Sequence, residues 1–364
     1  MFLSALSALF YLSSIYVAAG ASCACSSVTI PVRVDTLVPK DVTDIYGGLK
    51  SNASSLRPVN ATYDVYGVFC RPDSYFFLGV LQLLVHGFTY DSQYWSPPVE
   101  EFRNYSYAAY SCDRGLSSLA IDWVGVGLSS RPANSSDVQF LSCASAVSQV
   151  ARYVKTNSIV PGLLPFEKVI GIGHSAGSGL LNFGAITEGA QSPFAGLILT
   201  GELIVQSGEI PPLSAAPPAR DVDPLRWGAL DPGYITSLAG TRSAFYPPNA
   251  TSFSPRMLQF DEFTKDVGTV GAYYQILSNS LATNYTGPVA KVIGSEDQLF
   301  CVGTGRCANV TALTAAERVV WPKAQRFEVV VSQGSGHCMN LDFFANGPFN
   351  TFVHYVKQFT GIPL

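Results

Sequence analysis

The segment 168–186 constrains this chain most. Lys168–Gly173 is a short run rich in Val and Ile, Ser175–Ile186 has helical spacing lined by small residues, and Gly173-His174-Ser175-Ala176-Gly177 lies across their junction. A strand that passes into a helix through so short a turn strains the backbone at its apex. Glycine on either side allows the close packing this demands, and the apical hydroxyl is lifted clear of the sheet. Ser175 is therefore a candidate nucleophile. A Gly-x-Ser-x-Gly pattern alone recurs by accident, and the bland alternative is a tight turn with a buried, satisfied serine. The strand before it and the helix after it give the pattern its weight.

The rest of the chain keeps the same rhythm. Strand-like runs are Tyr63–Cys70, Phe76–His86, Leu119–Val126, Ala195–Thr200, Val289–Ile293 and Phe327–Val331. Val138–Thr156 has helical spacing, with Asp137 placed to cap its start, and a helical pattern closes the chain near Phe349–Phe359. Strands alternating with helices predict an α/β fold, a mostly parallel sheet with helices on both faces. Residues 21–60 are Ser/Thr/Pro-rich and weakly periodic and read as an N-terminal extension. Residues 202–286 show no strand series, yet hold Trp227, Tyr234, Phe245, Tyr246, Phe253, Phe260, Phe263, Tyr273 and Tyr274. So long a stretch cannot be one structureless loop. It reads as an inserted, mainly helical cap on a core formed by 61–201 and 287–364. The cap's aromatics either line an apolar pocket or make the cap's own interior.

Only 13% of residues are charged and the net charge is −4, which leaves no electrostatic footprint for nucleic acid. Residues 2–19 are mostly apolar and uncharged, and Ala18-Ala19-Gly20-Ala21 supplies small residues. This reads as a secretory signal, 1–20, removed near Gly20, and so as a secreted protein. An uncleaved anchor and a buried N-terminal helix are the alternatives. No later stretch is long and apolar enough to span a membrane. Sequons for N-glycosylation stand at Asn52, Asn60, Asn104, Asn134, Asn249, Asn284 and Asn309. All eight cysteines follow the expected cleavage, and an even count in an exported chain favours disulfides. Cys301 and Cys307 suggest a short local loop, while Cys338 is placed either as a free buried thiol or as a bridge partner. Four histidines and scattered cysteines argue against a metal site, and oligomeric state is left open.

With the elbow at Ser175, the chain resembles the α/β-hydrolase superfamily, in its serine-hydrolase branch with a cap, over roughly residues 63–360. Leu83-Leu84-Val85-His86-Gly87-Phe88 is similar to the family's oxyanion loop after the third strand. The resemblance implies an oxyanion hole made by the backbone N–H groups of Phe88 and Ala176. Asp122-Trp123-Val124-Gly125-Val126-Gly127-Leu128-Ser129 looks like the family's structural D-x-x-G-x-G-x-S segment. Relatives that open epoxides or remove halogens carry Asp in the elbow, so Ser175 argues against both chemistries.

His337, in Gly334-Ser335-Gly336-His337 beyond the strand Phe327–Val331, matches the family's base. Asp297, three residues after Gly294 at the end of Val289–Ile293, matches its acid, with Glu296 and Glu202 as rivals. The implied activity needs no cofactor. It is hydrolysis of a carboxylic ester or lactone of a small to medium apolar substrate by Ser175, His337 and Asp297 through an acyl-enzyme. Acyl transfer, thioester cleavage and peptide cleavage use the same residues, and a non-catalytic ligand-binding protein is the alternative from another class.

Overall fold

The structure, a computed structural model, describes residues 23–73, 78–204, 213, 215–276 and 281–363. The expected signal 1–20, Phe76 and part of the Pro211–Ala219 stretch lie outside the described residues. Eight strands form the main sheet: β1 (Cys23–Pro39), β2 (Leu56–Pro72), β3 (Val80–Val85), β4 (Ser117–Ile121), β5 (Lys168–His174), β6 (Gly196–Thr200), β9 (Val289–Gly294) and β10 (Phe327–Ser332). Two short strands, β7 (Tyr234–Ile235) and β8 (Gly268–Thr269), pair separately. The sheet order is β1-β2-β4-β3-β5-β6-β9-β10. Pairing is antiparallel from β1 to β4 and parallel from β4 to β10.

The central strands explain the parallel arrangement. Every residue of β3, β6 and β9 is buried, and β5 is buried after Lys168. Strands buried on both sides and mostly apolar need helices on both faces of the sheet. The helices Phe140–Thr156 and Ala176–Glu188 pack together through Phe140 and Phe183, whose rings lie 5.1 Å apart. The helix Tyr107–Cys112 packs on the C-terminal helix Asn346–Thr360, with Tyr107 5.3 Å from Phe349 and 5.2 Å from Phe352. The chain leaves β3 for β4 on one side and returns to β5 on the other. The order reverses there, and open α/β sheets bind ligands outside the carboxyl ends of the strands at such a point.

Three local expectations change. The stretch 21–60, expected as a weakly periodic extension, contains β1 and the start of β2, a hairpin paired from Cys23↔Pro72 to Pro39↔Leu56. Ile30, Val32 and Val34 are buried and alternate with exposed Pro31, Arg33 and Asp35, so the period of two was present in the residues. The run Leu119–Val126 ends as a strand at Ile121, because the left-handed Gly125 and Gly127 turn the chain into a loop that only glycine follows easily. Asp137 does not cap the helix after it. Its carboxylate pairs with Arg57 at 2.6 Å, and Ser142 Oγ accepts the Gln139 N–H at 3.0 Å at the helix start.

Between β6 and β9 the described cap residues form short helices, Ala219–Val222, Pro224–Trp227, Pro255–Thr264 and Val270–Gln275, with the β7/β8 ribbon. Trp227, Tyr234, Phe245, Tyr246 and Phe253 are buried and Phe263 is exposed. Most of the cap's aromatics thus build its interior. Tyr234 donates to the Pro132 carbonyl at 2.8 Å and Asp266 pairs with Arg131 at 2.9 Å, which fastens the cap to the loops after β4. No helix among the described residues is long and apolar enough to cross a membrane. All seven sequon asparagines are exposed.

Disulfides join Cys23 to Cys112, Cys25 to Cys70 and Cys301 to Cys307, while Cys143 and Cys338 are free and buried. The first two tie the long hairpin to the sheet's helices and to itself. The third is the local loop expected from spacing, and no bridge reaches Cys338. Peptide mapping without reduction should return these three linked pairs, with Cys143 and Cys338 alkylated only after unfolding. Alkylation of Cys338 in the native protein would contradict its burial.

Candidate active site

Ser175 sits where β5 turns into the helix Ala176–Glu188, with φ 52° and ψ −117°. A non-glycine residue there is strained and persists only where its surroundings over-determine it. They do so here. The Ser175 N–H donates to the Thr200 carbonyl at the end of β6, at 2.8 Å. A Cβ on Gly177 would lie 2.2 Å from the Val85 carbonyl oxygen, and one on Gly173 would lie 2.5 Å from the Ser178 nitrogen. Both elbow glycines are therefore required by contact with β3 and with the helix's first turn.

The loop after β3 lies against this elbow. A Cβ on Gly87 would come within 3.3 Å of Ser175 Cβ. Phe88 and Ala176 are both buried, and among the described residues neither backbone N–H has an acceptor within the chain. The Phe88 ring turns into the cap, where a Cβ on Gly268 would meet it at 2.2 Å. Beneath the loop, His86 is fully buried, within 2.8 Å of the Gly87 carbonyl and 2.9 Å of Trp123 Nε1. Burial pushes its imidazole down to about 3, so it stays neutral and supports the loop.

His337 and Asp297 meet. His337 Nδ1 lies 2.9 Å from Asp297 Oδ2, and both residues are buried. Asp297 Oδ1 accepts the N–H groups of Leu299 and Phe300 at 2.8 and 3.2 Å, so the carboxylate is held on both oxygens. The loops that carry the two residues interlock. A Cβ on Gly294 would lie 2.2 Å from the Ser335 carbonyl oxygen, and the Glu296 N–H donates to that oxygen at 2.9 Å. His337 is flanked by Phe245 at 5.6 Å and Phe300 at 5.9 Å. A Cβ on Gly201, which follows Thr200, would lie 3.2 Å from His337 Cε1. The imidazole thus overhangs the strand end that receives the Ser175 N–H. Among the described residues Ser175 Oγ makes no hydrogen bond to His337, a contact that commonly tightens only with substrate bound.

The rival acids are engaged elsewhere. Glu202 lies 2.7 Å from Lys291, which also pairs with Glu317 at 2.7 Å. Glu296 joins the His337 loop through its backbone, while Asp297 is the carboxylate on the imidazole. Asp122 accepts the N–H groups of Ser92 at 2.7 Å and Leu128 at 2.8 Å, a structural role. His174 is buried and stacks on Tyr94 with ring centroids 4.3 Å apart; burial first, then the nearby His337, holds it well below the usual imidazole range. His354 lies in the C-terminal helix. Among the described residues no three His, Cys, Asp or Glu side chains converge as metal ligands.

Sequence reasoning missed the residues that join the cap to these loops. The Cys338 N–H donates to the Phe245 carbonyl at 2.8 Å, and Gln298 Nε2 donates to the Tyr246 carbonyl at 2.8 Å. The available signal was faint, an Arg242 and an Asp261 among thirteen charged residues between 202 and 286.

The model of the alpha/beta hydrolase family matches residues 82–345, and the chain belongs to that family. No curated protein matches the chain by sequence. Among solved structures, an esterase from Exiguobacterium antarcticum is 18% identical with a TM-score of 0.53, over 81% of this chain and 96% of that one. A thermophilic esterase from Thermogutta terrifontis is 13% identical with a TM-score of 0.53, over 91% and 99% of the two chains. An epoxide hydrolase from Vigna radiata is 15% identical with a TM-score of 0.52, over 81% and 95%. At these identities the likeness is one of fold.

One titration follows from the site's surroundings. Asp91, just beyond the loop after β3, caps the turn Ser92–Tyr94 by accepting the Gln93 N–H at 2.9 Å. Burial, with Asp122 and Asp266 nearby, pushes its carboxyl up to about 7. The folded state then binds the extra proton, so the stability Asp91 contributes at low pH is lost as pH rises through 7. Asp91→Asn keeps the capping oxygen. In guanidinium unfolding it should be more stable than the parent by about 2–4 kcal/mol at pH 8 and nearly equal at pH 4. Equal stability at both pH values would refute this.

Proposed function

We propose that this chain is a secreted serine hydrolase that cleaves a carboxylic ester or lactone of a small to medium apolar substrate. The observation that carries the reading is the buried His337–Asp297 contact at 2.9 Å, set beside the strained Ser175 elbow. His337 takes the Ser175 proton as Oγ attacks the substrate carbonyl carbon. Asp297 fixes the imidazole tautomer and stabilises the imidazolium. The developing oxyanion is received by the N–H groups of Phe88 and Ala176, which have no acceptor among the described residues and whose placement needs no reorganisation during the reaction. The C–O bond then breaks, the imidazolium returns its proton to the leaving alcohol, and an acyl-enzyme remains. Water activated by His337 hydrolyses it and frees Ser175.

The esterase neighbours agree with ester chemistry. Ser175, where epoxide-opening relatives carry Asp, separates the chain from the epoxide hydrolase that shares its fold. The aromatic flank of His337 by Phe245 and Phe300 favours an apolar group beside the scissile bond. Secretion is supported by three disulfides, which persist in oxidising compartments, and by seven exposed sequons. Glycans there would also help keep a surface so poor in charge soluble.

A fluorophosphonate probe should label Ser175 in the secreted protein, with the site read by peptide mass spectrometry, and Ser175→Ala should abolish labelling. With a short-chain ester, Asp297→Asn should lower kcat by about 10³- to 10⁴-fold, as loss of the tautomer does in comparable triads. A folded wild-type protein that is neither labelled nor active on esters, thioesters or peptides would overturn the reading.

A further inference from the structure

Arg242 is fully buried in the cap turn Arg242–Phe245, and its guanidinium is shared between two partners. On one side is Asp261, with Nη2 2.6 Å and Nε 2.8 Å from Oδ1. On the other is the loop after β3, where Nη1 donates to Thr89 Oγ1 at 2.9 Å and the guanidinium lies 4.2 Å from the centre of the Tyr90 ring. Ser237 Oγ accepts a longer bond from Nη1 at 3.3 Å. The second Asp261 oxygen accepts the hydroxyls of Tyr246 at 3.1 Å and Tyr90 at 3.2 Å. Burial alone would weaken the charge on Arg242, and Asp261 more than offsets it, so the guanidinium stays protonated.

Thr89 is the residue that makes this network more than a joint within the cap. Its φ is 60°, a conformation that β-branched side chains rarely adopt. Three bonds hold it there: Arg242 donates to its hydroxyl, its hydroxyl donates to the Phe88 carbonyl at 2.6 Å, and its own carbonyl accepts the Asp266 N–H at 3.0 Å. Together these fix the Phe88–Thr89 peptide, on the carbonyl side of Phe88, whose own N–H has no acceptor among the described residues. Without Thr89, Nη1 of this buried guanidinium would keep only the longer bond to Ser237, so the ion pair and the loop after β3 are tied to each other.

We propose that Arg242, oriented by Asp261, is a positioning residue that holds the Phe88 N–H in the oxyanion hole through Thr89. This rests on the hydrolase reading above. The same cap turn contacts the base loop through the Phe245 carbonyl, so the cap sets the oxyanion donor and braces the base from one rigid point.

The test uses the full-length secreted protein and three variants, Arg242→Lys, Thr89→Ala and Thr89→Ser. Three quantities are read: kcat and KM on a short-chain p-nitrophenyl ester, the inhibition constant of a trifluoromethyl ketone that forms an anionic tetrahedral adduct, and the melting temperature. Arg242→Lys and Thr89→Ala should lower kcat by about 10- to 100-fold, somewhat less than outright removal of a donor. KM should change by less than about threefold, and ketone affinity should fall in parallel with kcat/KM. Thr89→Ser, which keeps the hydroxyl, should restore most of kcat. If Arg242→Lys does not fold, the Thr89 pair decides. Lower melting temperatures with kcat and ketone affinity unchanged would make the network purely structural and overturn the proposal. A wild type without turnover or serine labelling would instead overturn the hydrolase reading on which it rests.

Discussion

The strained turn at Ser175 is the constraint on which the rest of the structure depends. Its φ of 52° is tolerable because glycines stand where any Cβ would strike the end of β3 or the first turn of the following helix. The same close approach brings β3, β5 and β6 into one register at their carboxyl ends. The loop after β3, the serine and the Thr200 carbonyl therefore converge without a long side chain to link them. The position is also where the strand order reverses, so the turn opens onto the crevice that the topology leaves.

A chain with 13% charged residues uses several of its charges inside the fold. Lys291 lies between Glu202 and Glu317, joining β9, the end of β6 and the helix Val310–Arg318. Arg131 and Asp266 join the loop after β4 to the cap, and Arg242 and Asp261 stand over the loop after β3. Desolvation offsets much of the attraction in buried pairs of this kind, so their main effect is to specify geometry, since removing one partner strands the other. Each pair sits at a joint between elements that carry the site. The cap is thereby registered to the core by directional contacts, and its buried aromatics fill the space between them.

Much of the candidate site was legible in the residues, for reasons that differ from one residue to the next. Ser175 was legible because a Gly-x-Ser-x-Gly turn between strand and helix has few other uses. Asp297 and His337 were legible by their places after late strands, yet Glu202 and Glu296 satisfied much the same criteria, and only the partners of each carboxylate separate them. Glu202 faces a buried lysine 89 positions away in sequence, which no local pattern reveals. The stretch holding β1 reads as an extension because it is Ser/Thr/Pro-rich and its period is confined to a few residues, Ile30, Val32 and Val34. The stretch 122–126 reads as strand because it continues the apolar run from Leu119, and residue type alone does not distinguish a strand from a packed loop.

By itself the sequence determined the parallel strands of the sheet, the elbow at Ser175 and the places of Asp297 and His337 after late strands, because these rest on short-range rules of backbone sterics and hydrophobic period. Tertiary structure decided which carboxylate meets His337, which cysteines pair and how the cap is held. Those outcomes depend on distances between residues far apart in the chain. The contact of Arg242 with Thr89 spans 153 positions and is set by the packing of a cap whose own pattern is weak. Such contacts follow from desolvation and directional bonding once the fold has formed, and local propensity carries no information about them.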